Sequence, residues 1–106
     1  MVFVELAPFI SFRCDQWSDD ELRALQNFLL ASPDAGDVIR GGAGLRKLRW
    51  SVQGRGKRGG ARVIYYRYVP GDQIYLVCAN TKAVLEDLTR EQVTVLAQLI
   101  EEIDHG

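Results

Sequence analysis

Residues 39–69 read IRGGAGLRKLRWSVQGRGKRGGARVIYYRYV, and the interpretation of the 106-residue chain starts from this stretch. Between Arg40 and Arg67 lie nine of the protein's 13 lysines and arginines, with no Asp or Glu among them. The whole chain has a formal net charge of −1, so the acidic residues lie on either side of this basic segment. Clustered cations repel one another, and a polyanion relieves that repulsion. The segment therefore favours nucleic acid as a partner.

Alternation of side-chain type predicts a strand over residues 44–52, with Leu48 and Trp50 on its buried side. Lys47 and Arg49 then lie together on the other face of the sheet, about 7 Å apart along the strand. The basic side chains of this strand are therefore expected on one surface.

A glycine-rich basic loop at residues 53–60 leads into a second strand at 61–69, which is the strongest strand signal in the chain. Pro70-Gly71-Asp72 then forms a turn into a third strand at 74–79. The cations of the strands at 44–52 and 61–69, and of the loop between them, are expected to gather on one face of the sheet. The interleaved aromatic residues suit base stacking; they are Trp50, Tyr65, Tyr66 and Tyr68.

The flanking segments predict one more strand and two capped helices. Residues 1–6 are rich in β-branched and aromatic residues, which favours a strand. Capping boxes begin at Ser18 and Thr89, each followed by a helical stripe of apolar residues. The predicted fold class is a single α+β domain over residues 1–106. It has a mainly antiparallel four-stranded sheet, whose last three strands form a meander, and its helices pack on one face.

Composition excludes several classes of protein. Hydrophobic content of 47% and charged content of 25% are typical of a globular domain. Cys14 and Cys78 form no metal-binding pair with the single histidine, so free thiols, no metal and no cofactor are expected. There is no basic leader and no apolar run of the roughly 20 residues that span a membrane. We expect a soluble cytoplasmic protein.

The basic residues are the remaining candidates for chemistry, because the sequence contains neither a nucleophile triad nor a phosphate-binding P-loop. RNA cleavage needs a base for the 2′-hydroxyl, cations for the charge on phosphorus and an acid for the leaving oxygen. Arginine stays protonated and cannot be the base. Among the lysines, Lys47 between Arg46 and Arg49 is the best candidate, because neighbouring positive charges disfavour an ammonium. A basic face that only binds phosphates remains the alternative.

Two motifs resemble a known family. Residues 36–49 read GDVIRGGAGLRKLR, and residues 54–66 read GRGKRGGARVIYY. They resemble the HigB branch of the RelE-type toxins, whose members typically read GD-[LV]-I-x-G-[TS]-GG-[LI]-RK-[LI]-R and then GKGK-[RS]-GG-x-R-[VI]-[IV]-YY. Weaker similarities at the starts of the second and last helices extend the resemblance over nearly the whole chain.

The resemblance implies the toxin of a bacterial toxin–antitoxin pair, a metal-independent endoribonuclease that enters the ribosomal A site and cuts mRNA. Its partner is usually an antitoxin with a helix-turn-helix domain. The residues that match the family's catalytic cations are Lys47, Arg49, Arg62 and Lys82. Further RNA contacts are expected from Arg46, Arg55, Lys57, Arg58 and Tyr66. The Lys47 and Arg62 side chains are expected to be exposed.

The chain departs from the family pattern at two positions beside the expected site. Asn80 stands where the family has a tyrosine, and Val84 stands where it has a glutamate. An alternative is therefore a catalytically weakened protein that binds RNA, ribosomes or an antitoxin through the same face. A third possibility is a structural domain whose basic loop docks onto an acidic protein.

Overall fold

The computed structural model of the chain describes residues 2–50, 61–81 and 88–105. The elements in this part of the chain are β1 (Val2–Glu5), α1 (Ala7–Gln16), α2 (Asp19–Ala31), β2 (Asp37–Val38), β3 (Arg46–Trp50), β4 (Ala61–Tyr68), β5 (Gln73–Thr81) and α3 (Arg90–His105). This element order confirms the predicted α+β class. The basic loop between β3 and β4 lies outside the described residues.

The strands form one sheet in the order β1-β5-β4-β3-β2. β1 runs parallel to β5 and the other pairs are antiparallel, which confirms the predicted meander of β3, β4 and β5. The prediction of four strands misses β2, because two residues are too few to show a period-2 pattern. β2 nevertheless pairs in register with β3, with Asp37 opposite Lys47 and Val38 opposite Arg46.

α1 and α2 cover one face of this sheet. Phe9 of α1 and Leu25 and Leu29 of α2 are fully buried. Their partners in the same apolar cluster are Leu48, Val63, Tyr65, Ile74, Leu76 and Ala79. Leu25 and Leu29 are four residues apart, so they lie on one side of α2 and face the sheet together. Burying each such side chain stabilises the fold by about 1.5–3 kcal/mol.

α3 covers the opposite face. Its Ile100 is fully buried in a second cluster with Leu45, Ile64 and Val77. Residues 61–65 of β4 are all buried, and successive side chains of a strand point to opposite faces. Such a strand needs cover on both sides. The expectation that the helices pack on one face is therefore wrong for α3, although α1 and α2 follow it.

Both helix starts predicted from capping boxes are confirmed. At α2, the Ser18 hydroxyl accepts from the Glu21 backbone N–H at 3.2 Å, and Glu21 Oε1 accepts from the Ser18 N–H at 3.1 Å. At α3, the Thr89 hydroxyl accepts from the Gln92 N–H at 3.1 Å, and Gln92 Oε1 accepts from the Thr89 N–H at 2.9 Å. These bonds satisfy N–H groups that lack a partner within the helix.

Candidate nucleic-acid interface

Three cations meet on the sheet face that carries α3. Lys47 and Arg49 are alternate residues of β3, and Arg49 pairs directly with Arg62 of β4. Directly opposite residues have Cβ atoms about 4.5–5.5 Å apart, and alternate residues of a strand lie about 7 Å apart. The predicted register of β3 is confirmed, because Leu48 and Trp50 belong to the cluster on the other face. The sheet therefore brings together three of the four predicted catalytic cations.

Arg62 is buried, with 2% of its surface exposed, so the expectation that its side chain is exposed is wrong. The physical reason is its position in an interior strand. Arg49 of β3 lies on one side and Asn80 of β5 lies on the other, forming a row across three strands. Arg62 Nη1 also donates to the Ala61 carbonyl at 3.4 Å. By contrast, Arg49 is exposed and Lys47 is half-buried, so the three cations differ in their access to solvent.

Lys47, Arg49 and Arg62 line a cleft of about 440 Å³ at the β2 edge of the sheet. The other residues that line it are Ala35, Gly36, Asp37 and Leu48. Two guanidinium groups in directly opposite positions repel each other, and a bound anion between them would relieve that repulsion. The cleft is therefore suited to a phosphate group.

Asp37 lies in the same cleft and is a functional candidate that sequence reasoning missed. It is the register partner of Lys47 across β2 and β3, so the two side chains point to the same face. The two-residue strand that places it there has no periodicity to detect. The only sequence signal for a functional role of Asp37 was its position in the motif at residues 36–49.

The segment before β2 is fixed by Tyr65, whose ring is fully buried. The Tyr65 hydroxyl accepts a hydrogen bond from the Gly36 backbone N–H at 3.0 Å and donates to the Pro33 carbonyl at 2.9 Å. Burial raises the pKa of Tyr65 above its usual value of 10.0, and the hydrogen bond from Gly36 opposes part of that rise. The phenol therefore holds this segment beside Lys47 in its protonated form.

Arg46 is not brought to the cleft. It alternates with Lys47 and lies on the opposite face, in register with Tyr65. Arg46 Nη1 donates to the Gly36 carbonyl at 2.8 Å and to the Asp34 carbonyl at 3.2 Å. The Asp34 carboxylate also forms an ion pair with Arg67 at 3.4 Å. These contacts give Arg46 a structural role in the segment that precedes β2.

The aromatic residues do not form the exposed stacking platform expected from the sequence. Tyr65 is fully buried, and the Trp50 ring packs against Phe28 with centroids 5.4 Å apart. Tyr66 is half-buried beside the α3 cluster, so the structure does not place it in the cleft. Tyr68 packs edge-on against Tyr75 at 6.4 Å. These rings mainly build the core and its border.

Several predicted site residues lie outside the described part of the chain. They are Arg55, Lys57 and Arg58 of the basic loop, together with Lys82. Val84, one of the two departures from the family pattern, lies there too. The other departure, Asn80, is described and stands directly opposite Arg62 in β5. This confirms that Asn80 lies beside the predicted site.

The two cysteines are free thiols, as the sequence predicts. Cys14 is exposed on α1, and burial of the half-exposed Cys78 raises its pKa to about 11. Among the described residues, no three His, Cys, Asp or Glu side chains gather in a way that could hold a metal ion. None of the described helices has both the length and the apolar character that a membrane span requires.

No protein-family model matches the sequence. Among solved structures, the chain is similar to a mutant of the toxin RelE from E. coli in the free state, with 14% sequence identity and a TM-score of 0.62. The match covers 93% of this chain and 95% of that chain. The chain has the RelE fold. The match spans almost the full length of both chains, so the similarity of fold extends over the sheet and the helices together.

Proposed function

We propose that the chain is the toxin of a toxin–antitoxin pair and inhibits translation as a ribosome-dependent mRNA endoribonuclease. The observation that carries the proposal is the cleft in which buried Arg62 stands directly across from Arg49, with Lys47 next to them. The RelE fold supports it, since the E. coli protein with that fold is a toxin. The resemblance of residues 36–49 and 54–66 to the HigB branch supports it independently of the fold.

In the proposed reaction, Arg49 and Arg62 stabilise the negative charge that develops on phosphorus. A guanidinium has several N–H donors in a fixed plane and binds two phosphate oxygens at once. Lys47 takes part in proton transfer, and the sequence-based prediction makes it the base. Lys82 is proposed as a further catalytic cation from its match to the family. No metal or cofactor is needed for this chemistry.

The proposed substrate is mRNA in the ribosomal A site, and the proposed site of action is the cytoplasm. Arg55, Lys57 and Arg58 of the basic loop are proposed to contact the RNA backbone, where charge matters more than side-chain geometry. Arg46 is proposed to act indirectly, since its hydrogen bond to the Gly36 carbonyl holds a segment that lines the cleft. Tyr66 packs beside the α3 cluster and is proposed to act from the border of the core. The proposed partner that neutralises the toxin is an antitoxin with a helix-turn-helix domain.

A toxicity assay tests the proposal. Expression of the unaltered chain should arrest growth and deplete translated mRNA, and Lys47→Ala or Arg49→Ala should relieve the arrest. The matched control is Arg23→Ala, which removes an exposed cation from α2 on the other side of the sheet and should leave the arrest intact. Arg62→Ala is informative only beside a measurement of unfolding, because it replaces a buried side chain.

A second candidate function is favoured by Asn80. This residue stands directly across from Arg62, where the family has a tyrosine, and an amide supplies neither an ionisable proton nor an aromatic ring. The second candidate is therefore a catalytically weakened protein that binds RNA or ribosomes. If the unaltered chain sediments with ribosomes but neither arrests growth nor cuts mRNA, this second function is the correct one.

A further inference from the structure

We propose that Asp37 is the general base of the cleft and that Lys47 is its general acid. This assignment rests on the proposed endoribonuclease function and changes the division of roles within it. The sequence-based prediction makes Lys47 the base and assigns the role of acid to no residue. The pairing of β2 with β3 now provides both groups at adjacent positions.

The geometry of Asp37 supports the assignment. Asp37 and Lys47 are directly opposite in an antiparallel pair, with Cβ atoms about 4.5–5.5 Å apart. Both line the cleft with Arg49 and Arg62, and Asp37 is the one carboxylate among the described residues that line it. A carboxylate accepts protons at neutral pH, whereas an arginine cannot act as a base. Asp37 is thus the best acceptor in the described part of the cleft.

The backbone on either side of Asp37 is held in place. The Gly36 N–H donates to the Tyr65 hydroxyl at 3.0 Å, and the Ile39 N–H donates to the Leu45 carbonyl at 2.9 Å. A catalytic group must be held close to its productive geometry, and a two-residue strand alone would not hold it. The hydroxyl of a fully buried tyrosine and the pairing with β3 together provide that support.

The proposed step is a transesterification within the RNA strand and uses no cofactor. The Asp37 carboxylate takes the proton of the ribose 2′-hydroxyl, and the 2′-oxygen forms a bond to phosphorus. The bond between phosphorus and the 5′-oxygen breaks, and the Lys47 ammonium gives its proton to that oxygen. Arg49 and Arg62 stabilise the charge on the phosphoryl oxygens. The products are a 2′,3′-cyclic phosphate and a 5′-hydroxyl, with Asp37 protonated and Lys47 neutral until solvent restores both.

A carboxylate among cations also has an effect on binding that is separate from catalysis. The charged groups that face Asp37 are Lys47 and Arg49 of β3 and Arg62 of β4. Asp37 reduces the net positive charge that a phosphate meets there. Asp37→Asn should therefore bind the mRNA-loaded ribosome as tightly as the unaltered chain, or tighter, and cut more slowly. A purely structural role would weaken binding and cutting together.

The experiment uses single-turnover cutting of mRNA on stalled ribosomes by the full chain. Asp37→Asn should lower the rate by about 10²-fold or more, the usual contribution of a general base. Asp37→Glu should retain part of the rate, because it keeps the carboxylate. The matched control is Asp15→Asn, which removes an exposed carboxylate on α1 and should cut at the normal rate. Thermal unfolding of each variant separates a loss of rate from a loss of fold.

A second substrate distinguishes the role of the general base from the role of the general acid. When sulfur replaces the bridging 5′-oxygen at the cut site, the leaving thiolate needs no proton. This substrate should restore cutting by Lys47→Met and should leave Asp37→Asn slow. If Asp37→Asn cuts the normal mRNA as fast as the unaltered chain, or if sulfur rescues both variants, the assignment is overturned while the proposed function stands. If the unaltered chain cuts no mRNA, the proposed function falls and the assignment falls with it.

Discussion

The Tyr65 hydroxyl accepts a hydrogen bond from the Gly36 backbone N–H at 3.0 Å and so connects the centre of the sheet to the edge of the cleft. The bond spans 29 residues of sequence and is buried. Asp37, the next residue after Gly36, pairs with Lys47. The position of the cleft carboxylate therefore depends on a tyrosine whose ring lies in the core on the other face of the sheet.

The first prediction concerns Tyr65→Phe. This change leaves the Gly36 N–H and the Pro33 carbonyl without the hydroxyl that bonds both. We expect the free energy of unfolding to fall by about 1–3 kcal/mol, the usual penalty for a buried polar group that loses its partner. Urea unfolding at neutral pH measures the change. Tyr68→Phe removes the same atom at the hairpin end of β4 and should change stability much less.

The same hydrogen bond predicts that the free energy of unfolding depends on pH. Burial raises the pKa of Tyr65 above 10.0, so the folded state favours the protonated hydroxyl. Its contribution to stability is fully present below the unfolded pKa and is lost as the pH rises through the folded pKa. The difference in unfolding free energy between the unaltered chain and Tyr65→Phe should therefore shrink above about pH 10. A difference that stays constant between pH 8 and pH 11 would contradict the role assigned to the hydroxyl.

Gly36→Ala tests the close approach of the segment to β3. A Cβ atom at Gly36 would lie 2.9 Å from the Lys47 carbonyl oxygen and 3.1 Å from Tyr65 Cε1. The Lys47 carbonyl is fixed because it belongs to the backbone of β3, and the Tyr65 ring is fixed because it is buried. We expect a loss of about 1–3 kcal/mol in unfolding free energy, the usual cost of overpacking. Ala35→Gly alters the preceding residue without adding an atom and serves as the comparison in the same urea titration.

The sequence correctly predicted those structural features that depend on a local pattern of residue types. Alternation in residues 44–52 placed Lys47 and Arg49 on one face, and the residue types at Ser18 and Thr89 located two helix starts. It could not predict the burial of Arg62, which follows from the strands that flank β4 on either side. Nor could it place Asp37, because a two-residue strand exists only through its pairing with β3. Tertiary pairing, which no local window contains, determines these features.

The next prediction concerns the salt dependence of RNA binding. Arg49 is exposed in the cleft, so Arg49→Gln should remove one phosphate contact without unfolding the chain. We expect weaker binding to single-stranded RNA and a salt slope reduced by roughly 0.7, the value for one released counterion. Fluorescence anisotropy at several salt concentrations gives the slope. Arg23→Gln on α2 carries the same charge change and should leave the slope as it is. Equal slopes for all three proteins would exclude the cleft as the phosphate site.

Cysteine reactivity tests the packing of α3 on the sheet. Burial raises the pKa of Cys78 to about 11, so few Cys78 thiolates exist at pH 8, whereas Cys14 is exposed. Because the thiolate is the reactive form, iodoacetamide at pH 8 should label Cys14 first and Cys78 only slowly. Mass spectrometry should find one label in the folded chain and two in urea. Rapid double labelling under native conditions would show that α3 does not stay packed over Cys78.

The last prediction concerns the two departures from the family pattern. Asn80 stands opposite Arg62, and a tyrosine there would add a phenolic proton and a ring beside the cleft. We expect Asn80→Tyr with Val84→Glu to raise the single-turnover rate of mRNA cutting by up to about 10²-fold, because a ring and a hydroxyl opposite Arg62 would position the mRNA for the Asp37 and Lys47 pair. RNA affinity should barely change, because the cations of the cleft are retained. Asn80→Leu with Val84→Glu adds bulk without a hydroxyl and should cut no faster than the unaltered chain. If the tyrosine variant is equally slow, the departures at these two positions are neutral.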